Sequence, residues 1–410
     1  MAVPLRPLLA YHGEMPPTLA PESIEDLARA LRECRDKKQA VELGGNFTKR
    51  AMGGPVAPPD AVVSTNRLNQ ILAYEPKDLT VSVGAGMPFR DLQQALAVNG
   101  QMLPLDPPFS EQATVGGVLA TNGSGPRRRR YGTARDMVIG MQMVTIDGNI
   151  VKSGGMVVKN VTGLDIAKLM IGSFGTLAAI ASANFKVFPK PDAERTFVFA
   201  SGSLDSILSL RQAIIGGVLQ PTAIDILNHD AAVAAGGDPP PGYLLVTTVE
   251  GNRAAVERYE SEYGKLAQRC RVETFVPLAE INAVEVWEAI RNLTPRAVGS
   301  NGLVVRLSAK ASQLRDLFDA PLAKNGPVPV VARGGVSVGH VYCPSLEVAR
   351  RTMERAHTAG LRGVIEYAKR DKDGLALWPH PGDELALMQR IKDSLDPEHL
   401  LNRGRLFGRI

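Results

Sequence analysis

Between Leu103 and Pro191 the chain carries clusters of small residues that no packed helix or strand tolerates without cause. Ala113, Thr114, Gly116, Gly117, Ala120, Thr121, Gly123, Ser124 and Gly125 crowd into thirteen positions, and Ser153-Gly154-Gly155 and Gly172-Ser173-Phe174-Gly175-Thr176 follow. A glycine inside a regular element costs roughly 0.5–1 kcal/mol relative to alanine. In return the backbone can take positive φ and let a ligand approach, and consecutive bare amides form a nest for an anion. On spacing alone, the pattern serves a set of tight turns in a sheet-rich domain as well as it serves a cradle. Upstream, the short strand expected at Ala40–Leu43 runs into Gly44-Gly45-Asn46-Phe47-Thr48-Lys49-Arg50. A strand feeding a glycine pair suits phosphate oxygens, because free amides point outward and no side chain blocks the way.

Composition bounds what these loops can belong to. The chain has 410 residues, 44% hydrophobic and 22% charged, enough for two or three globular units with real cores. A net charge of +5 and a pI near 9.1 suit an anionic cofactor and acidic substrates. Nucleic acid is not expected: the one basic run, Arg127–Arg130, has no interleaved aromatic residues. That run reads either as a solvated loop or as an anion-steering or docking surface. Cys34, Cys270 and Cys343 lie far apart, which encodes no disulfide framework, zinc site or iron–sulfur cluster and fits a reducing compartment. No apolar run reaches the roughly 18–20 residues that span a bilayer, and the first residues, broken by Pro4 and Pro7, make no convincing signal peptide. Gly84-Ala85-Gly86 begins like a dinucleotide fingerprint, but Phe89 stands where its third glycine belongs.

Six motifs occur together: Gln101–Pro107 (QMLPLDP), Ala113–Gly117 (ATVGG), Gly125–Arg128 (GPRR), Val158–Asp165 (VKNVTGLD), Leu169–Leu177 (LMIGSFGTL) and Phe185–Pro191 (FKVFPKP). With Arg306-Leu307-Ser308 and the tail Leu395–Leu406, they resemble the FAD-binding domain of the vanillyl-alcohol oxidase / p-cresol methylhydroxylase superfamily. Within it the chain looks most like the smaller FAD-binding subunits of bacterial glycolate oxidases. The resemblance implies an α+β protein: a two-lobed FAD-binding domain at residues 1–191, an α+β cap at 192–384, and a segment at 385–410 returning to the FAD domain.

It also implies where the cofactor lies. The residues are Gly44, Gly45, Asn46, Phe47 and Thr48, then Asp106 and Pro107, then Thr114, Val115, Gly116 and Gly117. The path continues over Ala120, Thr121, Asn122 and Gly123, the loop Arg130-Tyr131-Gly132, and Gly175, Thr176 and Ile180, with Asn402 closing from the tail. In that tail Arg403 stands where the family has proline, which loosens the expected turn around Asn402 and Arg405. No histidine lies between His12 and His229, and no cysteine between Cys34 and Cys270, so the FAD is expected to be non-covalent. No metal is expected. His380-Pro381-Gly382-Asp383 has the order of a family metal motif, but its next histidine is His399, and two ligands do not make a site.

For secondary structure, periodicity predicts helices over 23–38, 90–99, 163–172, 206–215, 254–268 and 345–359. Strands are expected at 61–64, 79–83, 177–187, 243–249, 303–307 and 328–331, with a hairpin over 138–152 and a turn-rich piece at Tyr74-Glu75-Pro76. Oxidising a 2-hydroxy acid moves hydride to the flavin while a base takes the hydroxyl proton and a cation holds the carboxylate. Arg306 on a cap strand and Arg405 in the tail are the cationic candidates. His229 and His340 lie on strand or loop edges of the cap, and neither is assigned as the base.

Three functions fit. The resemblance implies a flavin subunit that oxidises glycolate or a similar 2-hydroxy acid beside a larger FAD-binding subunit and an iron–sulfur subunit. Such a complex would be cytoplasmic and would sit peripherally on the inner membrane only through its partners. Alternatively, the chain carries a second flavin that relays electrons or supports assembly without turnover, or it is a free-standing sugar or lactone oxidase.

Overall fold

The computed structural model describes residues 16–54, 58–156, 165–321, 328–369, 377–378, 382–407 and 410. The expectations for His12, for most of the Val158–Asp165 motif, and for His380 and Pro381 lie outside them.

The first helix, Ile24–Asp36, starts where Ser23 Oγ accepts the Asp26 amide at 3.0 Å, and Glu25 and Asp26 complement the positive end of its dipole. Its stripe of Leu27, Leu31 and Cys34 is buried. The chain then enters strand Val41–Gly44, parallel to Ala61–Ser64, which pairs in turn with Thr18–Leu19. A second, five-stranded antiparallel sheet runs in the order Ile71–Glu75, Thr80–Gly84, Ala179–Lys186, Val138–Val144, Ile150–Gly154. Its first strand corrects the turn-rich reading of Tyr74 and Glu75. It lies at the sheet edge with its side chains largely exposed, so no burial alternation marks it in the sequence. Glycines 84 and 86 pack the backbone of Leu68 and Thr65 closely: a Cβ on either would lie 2.0–2.1 Å from a carbonyl oxygen.

The Ala113–Gly117 turn is also corrected. Thr114 caps a helix, Val115–Ala120, by accepting the Gly117 amide at 3.2 Å. Gly116 is needed for packing there, because a Cβ would meet the Ala85 Cβ at 2.8 Å.

An eight-stranded antiparallel sheet follows Pro191, in the order Thr274–Pro277, Ala193–Ser201, Tyr243–Gly251, Ala223–Asn228, Val330–Arg333, Val338–Cys343, Leu303–Ser308, Arg362–Tyr367. Helices Leu204–Gly216, Arg253–Arg269 and Leu346–Thr358 cover one face through a core that includes Phe197, Leu210, Tyr263, Val305 and Leu307. The opposite face, carrying Val304, Val331, Tyr342 and Tyr367, packs on Met52 of the first half. Period-two alternation therefore sends Arg306, Arg333 and His340 to the face that meets the cofactor domain. The halves are tied at Arg127. This residue is not a free docking surface: it reaches Asp106, Glu194 and Glu250 at 3.2–3.8 Å, while Tyr131 Oη donates to Glu250 at 2.5 Å.

The tail returns through helix Glu384–Leu395. Lys392, fully buried, donates to Asp396 Oδ2 at 2.5 Å and to the carbonyls of Thr176 and Leu401 at 2.6 and 3.1 Å. Asp396 also accepts the Leu400 and Leu401 amides, and Val41 takes the Leu400 carbonyl as an added rung of its sheet. Replacing Lys392 with methionine strands a buried carboxylate. Urea denaturation of Lys392→Met is expected to show a loss of about 3–5 kcal/mol.

Candidate functional site

Two cavities adjoin, the first within the N-terminal half and its returning tail, the second between the halves. The first, about 720 Å³ including its mouth, is a cradle lined by 42–50, Thr65, Thr114, Gly116, Gly117, Ala120, Thr121, Phe174, Gly175, Ala178, Ile180, Asn402 and Arg405. Of the residues expected along the cofactor path, it brings together Gly44, Gly45, Asn46, Phe47, Thr48, Thr114, Gly116, Gly117, Ala120, Thr121, Gly175, Ile180 and Asn402. Lys49, Arg50 and Phe174 join them. Val115 and Thr176 are buried behind the wall, and Pro107, Arg130, Tyr131 and Gly132 line neither cavity. Tyr131 instead packs on Phe188 and bonds Glu250, and Gly132 at φ 85° fits against Asp136.

The cradle's floor is backbone. Among the described residues, the amides of Gly45, Asn46, Phe47, Thr48 and Lys49 donate to no protein acceptor. Phe47 takes φ 52°, its ring lies 4.4 Å from the Arg50 guanidinium, and Arg50 forks onto Glu42 at 2.7 and 2.8 Å. Gly45 faces Thr114 so closely that a Cβ would lie 2.1 Å from Oγ1. Asn402 fastens the rim, accepting the Leu43 amide at 2.9 Å and donating to the carbonyls of Leu43 and Phe174 at 3.1 and 2.8 Å. The looseness expected from Arg403 is therefore absent: Asn402 at φ 42° and Gly404 at φ 74° make the turn without proline. Arg405 belongs to the cradle and not beside Arg306. It donates to the Lys49 carbonyl at 2.7 Å and lines the first cavity alone.

The second cavity, a cleft of about 1530 Å³ including its mouth, opens from the first past Lys49, Thr121 and Phe174. Asp106, Asn122 and Gly123 of the expected cofactor path lie here. Its cap-side wall carries Arg306, Arg333, His340 and Glu366, with Arg128 facing from the cofactor domain and Arg291 from the cap. Arg306 and His340 are direct cross-strand partners, as are Arg333 and Asp225. Glu366 sits at a bulge, because Val304 pairs with Tyr367 and Val305 with Ile365, and so Glu366 and Tyr367 both turn towards the cleft. Arg306 Nε and His340 Nε2 each lie 3.6 Å from the Glu366 carboxylate. Burial, with Arg333, Arg306 and Arg128 adding to it, holds the His340 imidazole well below its ordinary 6.5, hence neutral near pH 7. Burial raises Glu366 against the pull of Arg306, Arg333 and Lys49. Among the described residues the Arg128 side chain has no ion pair or hydrogen bond, and burial and two like charges depress it. His229 begins helix His229–Ala234, bonds near Pro240, and is remote from both cavities.

Several residues lining these spaces carry a buried polar atom without a protein partner among the described residues: Arg405 Nε at the cradle, and Asn122 Oδ1, His340 Nδ1 and Trp378 Nε1 at the cleft. Each such group costs about 1–3 kcal/mol unless a ligand or water meets it. With the bare amides, the set fits a long ligand that is anionic at one end and polar at the other. Among the described residues no three His, Cys, Asp or Glu side chains converge as metal ligands.

Fold and cavities define a two-domain flavoprotein. Residues 17–154 match the FAD binding domain family, and residues 374–406 match the C-terminal domain of FAD linked oxidases. The D-2-hydroxyglutarate–pyruvate transhydrogenase DLD3 of Saccharomyces cerevisiae is 30% identical over 445 residues, covering 96% of this chain and 86% of that protein. Glycolate oxidase subunit GlcD of Bacillus subtilis is 25% identical, with 97% and 90% covered. Subunit GlcE of Escherichia coli is 38% identical over 189 residues, 46% of this chain and 51% of its own. Among solved structures, p-cresol methylhydroxylase has a TM-score of 0.75 at 15% identity, covering 96% of this chain and 89% of that one, and so shares the fold. The chain belongs to the FAD-linked oxidases, and its cofactor is FAD.

Gly45→Ala is expected to weaken FAD binding by roughly tenfold or more, since its methyl group forces Thr114 and the cradle apart. Fluorescence titration of apoprotein with FAD measures this. None of the cradle residues is histidine or cysteine. Acid precipitation of the holoprotein is accordingly expected to leave the yellow colour in the supernatant, and colour in the pellet would contradict it.

Proposed function

We propose that this FAD-linked oxidoreductase oxidises 2-hydroxy acids to 2-oxo acids, and that it does so as the smaller flavin subunit of a glycolate oxidase-type complex. Relatives named for glycolate, D-2-hydroxyglutarate and D-lactate support the general chemistry. The observation that carries the reading is the pairing of Arg306 with His340 below Glu366, in a cleft that opens onto the cradle. The amides of Gly45–Lys49, with the Thr114 hydroxyl, would hold the diphosphate. Asn402, Gly175 and Ile180 would close around the rest of the cofactor, and Asn122 and Gly123 would flank its cleft end. Bound FAD supplies the acceptor for a hydride from the α-carbon.

In this scheme Arg306 and Arg128 grip the carboxylate, the planar guanidinium suiting two parallel hydrogen bonds. His340 takes the hydroxyl proton at Nδ1, the nitrogen left without a partner, while Glu366 orients Nε2. Electrons then pass to a larger FAD-binding subunit and an iron–sulfur subunit, which bring the assembly to the membrane. The two glycolate oxidase subunits among the relatives support such partners. Among the described residues no helix is long and apolar enough to cross a membrane.

Anaerobic mixing of holoprotein with glycolate, D-lactate or D-2-hydroxyglutarate tests the reading: bleaching of the flavin band is expected, and an unchanged spectrum with all three supports a relay role instead. Arg306→Met and Arg128→Met should each raise KM by roughly tenfold or more with FAD retained. Because the neutral form of His340 is the base and its pKa is depressed, kcat/KM should hold as pH falls through 6.5 and decline only below it. A pH–rate profile whose acid limb is centred at 6.5 or above counts against His340.

A further inference from the structure

Lys49 ends the bare-amide loop, and it is the residue where cradle and cleft meet. Its neighbours Gly44–Thr48 line the cradle alone, whereas Lys49 lines both cavities. Its backbone is fixed, since its carbonyl accepts from Arg405 Nη2 at 2.7 Å and from the Met52 amide at 3.0 Å. The residue is only 6% exposed. Among the described residues its ammonium makes one hydrogen bond, to the Gly117 carbonyl at 3.5 Å. Neither nearby carboxylate neutralises it: Glu42 is taken by both arms of Arg50, and Glu366 acts only from across the cleft. Burial accordingly pushes Lys49 down to about 7. A buried amine kept in such a place is under-partnered until something negative arrives.

We propose that Lys49 is a catalytic residue whose ammonium faces the flavin ring and balances the negative charge the ring receives with the substrate's electron pair. This rests on the FAD-linked oxidation proposed above. The α-carbon gives up its C–H bond electrons and hydrogen as hydride to the ring, the hydroxyl proton goes to His340, and a 2-oxo acid is left. No bond to Lys49 forms or breaks. The ring would gain two electrons but one proton, and the ammonium, on a residue only 6% exposed, would offset the remaining charge. The diphosphate is the poorer partner, because four bare amides precede that of Lys49 in the cradle and already serve an anion there, while Lys49 also lines the cleft.

Sulfite, which adds to the oxidised flavin ring and leaves it negatively charged, probes this without turnover. In FAD-loaded Lys49→Met the dissociation constant for sulfite should rise by roughly ten- to hundredfold. FAD affinity should stay within a few-fold, and Lys49→Arg should recover most of the sulfite affinity. Unchanged sulfite affinity in Lys49→Met overturns the proposal, as does a loss of FAD affinity with sulfite affinity intact, which would assign the charge to the diphosphate. If the methionine variant does not fold, as judged by circular dichroism, Lys49→Gln is read by the same criteria. Wild-type protein that takes up no FAD overturns the cofactor reading as well, an outcome distinct from failure of the Lys49 assignment.

Discussion

Five successive backbone amides without protein acceptors are an unstable arrangement for a loop between two strands, and much of this molecule keeps that loop open. Left alone, Gly45–Lys49 would fold onto its own carbonyls or onto water. It is held instead from four directions. Asn46 donates to the Gln112 carbonyl at 2.9 Å, Arg50 is forked onto Glu42, Arg405 takes the Lys49 carbonyl, and Asn402 pins the strand that leads in. Two of these clamps come from the last ten residues, some 350 positions away in sequence. Lys392 and Asp396 explain how the tail can serve. Their buried pair satisfies carbonyls and amides of Thr176, Leu400 and Leu401, which sets Asn402 and Arg405 at the cradle. The anion site is thus a tertiary construction, although every donor in it is local backbone.

The cleft follows a different logic. Its groups come from the alternation of one sheet, which puts Arg306, Arg333, His340 and Glu366 on a common face, and from one bulge, which turns Tyr367 inward beside Glu366. Charge crowds on this wall. Arg333 is answered by Asp225, itself buried and pushed up to about 6 by that burial. Arg306 has Glu366 at 3.6 Å, and Arg128 has no partner within the described residues. Such imbalance favours an anionic substrate and keeps the imidazole among the arginines unprotonated. A neutral imidazole and a surplus of positive charge are therefore one electrostatic arrangement.

This division decides what could be read from the sequence. The cradle was largely legible because its requirements are local: Gly44, Gly45, Gly116 and Gly117 stand where a Cβ would strike a neighbour or block the floor, and such positions leave glycine in the sequence. The Arg130-Tyr131-Gly132 loop carries the same kind of residues for another purpose, packing on Phe188 and bonding Glu250, so local pattern misassigns it. Glu366 and Arg333 left no signal. A bulge is set by pairing across strands, and the strands that bear them, Arg362–Tyr367 and Val330–Arg333, were unrecognised or weakened by Pro329. Ala113–Gly117 reads as a turn because its two glycines argue against helix. The Thr114 cap and the close approach to Ala85 outweigh that propensity.

Cradle and cleft are joined by a single stretch of chain. Past Arg50 the loop runs into Met52, which bridges Tyr367, while the Gly53 amide donates to the Glu366 carbonyl at 3.1 Å and Ala51 accepts the Ala368 amide at 3.0 Å. The bulge that aims Glu366 is thus bonded directly to the loop that leaves its amides bare. Cradle loop and cleft wall are thus joined by backbone hydrogen bonds. The physical basis is ordinary: a short hydrogen-bonded ladder transmits displacement, whereas two solvated loops would not.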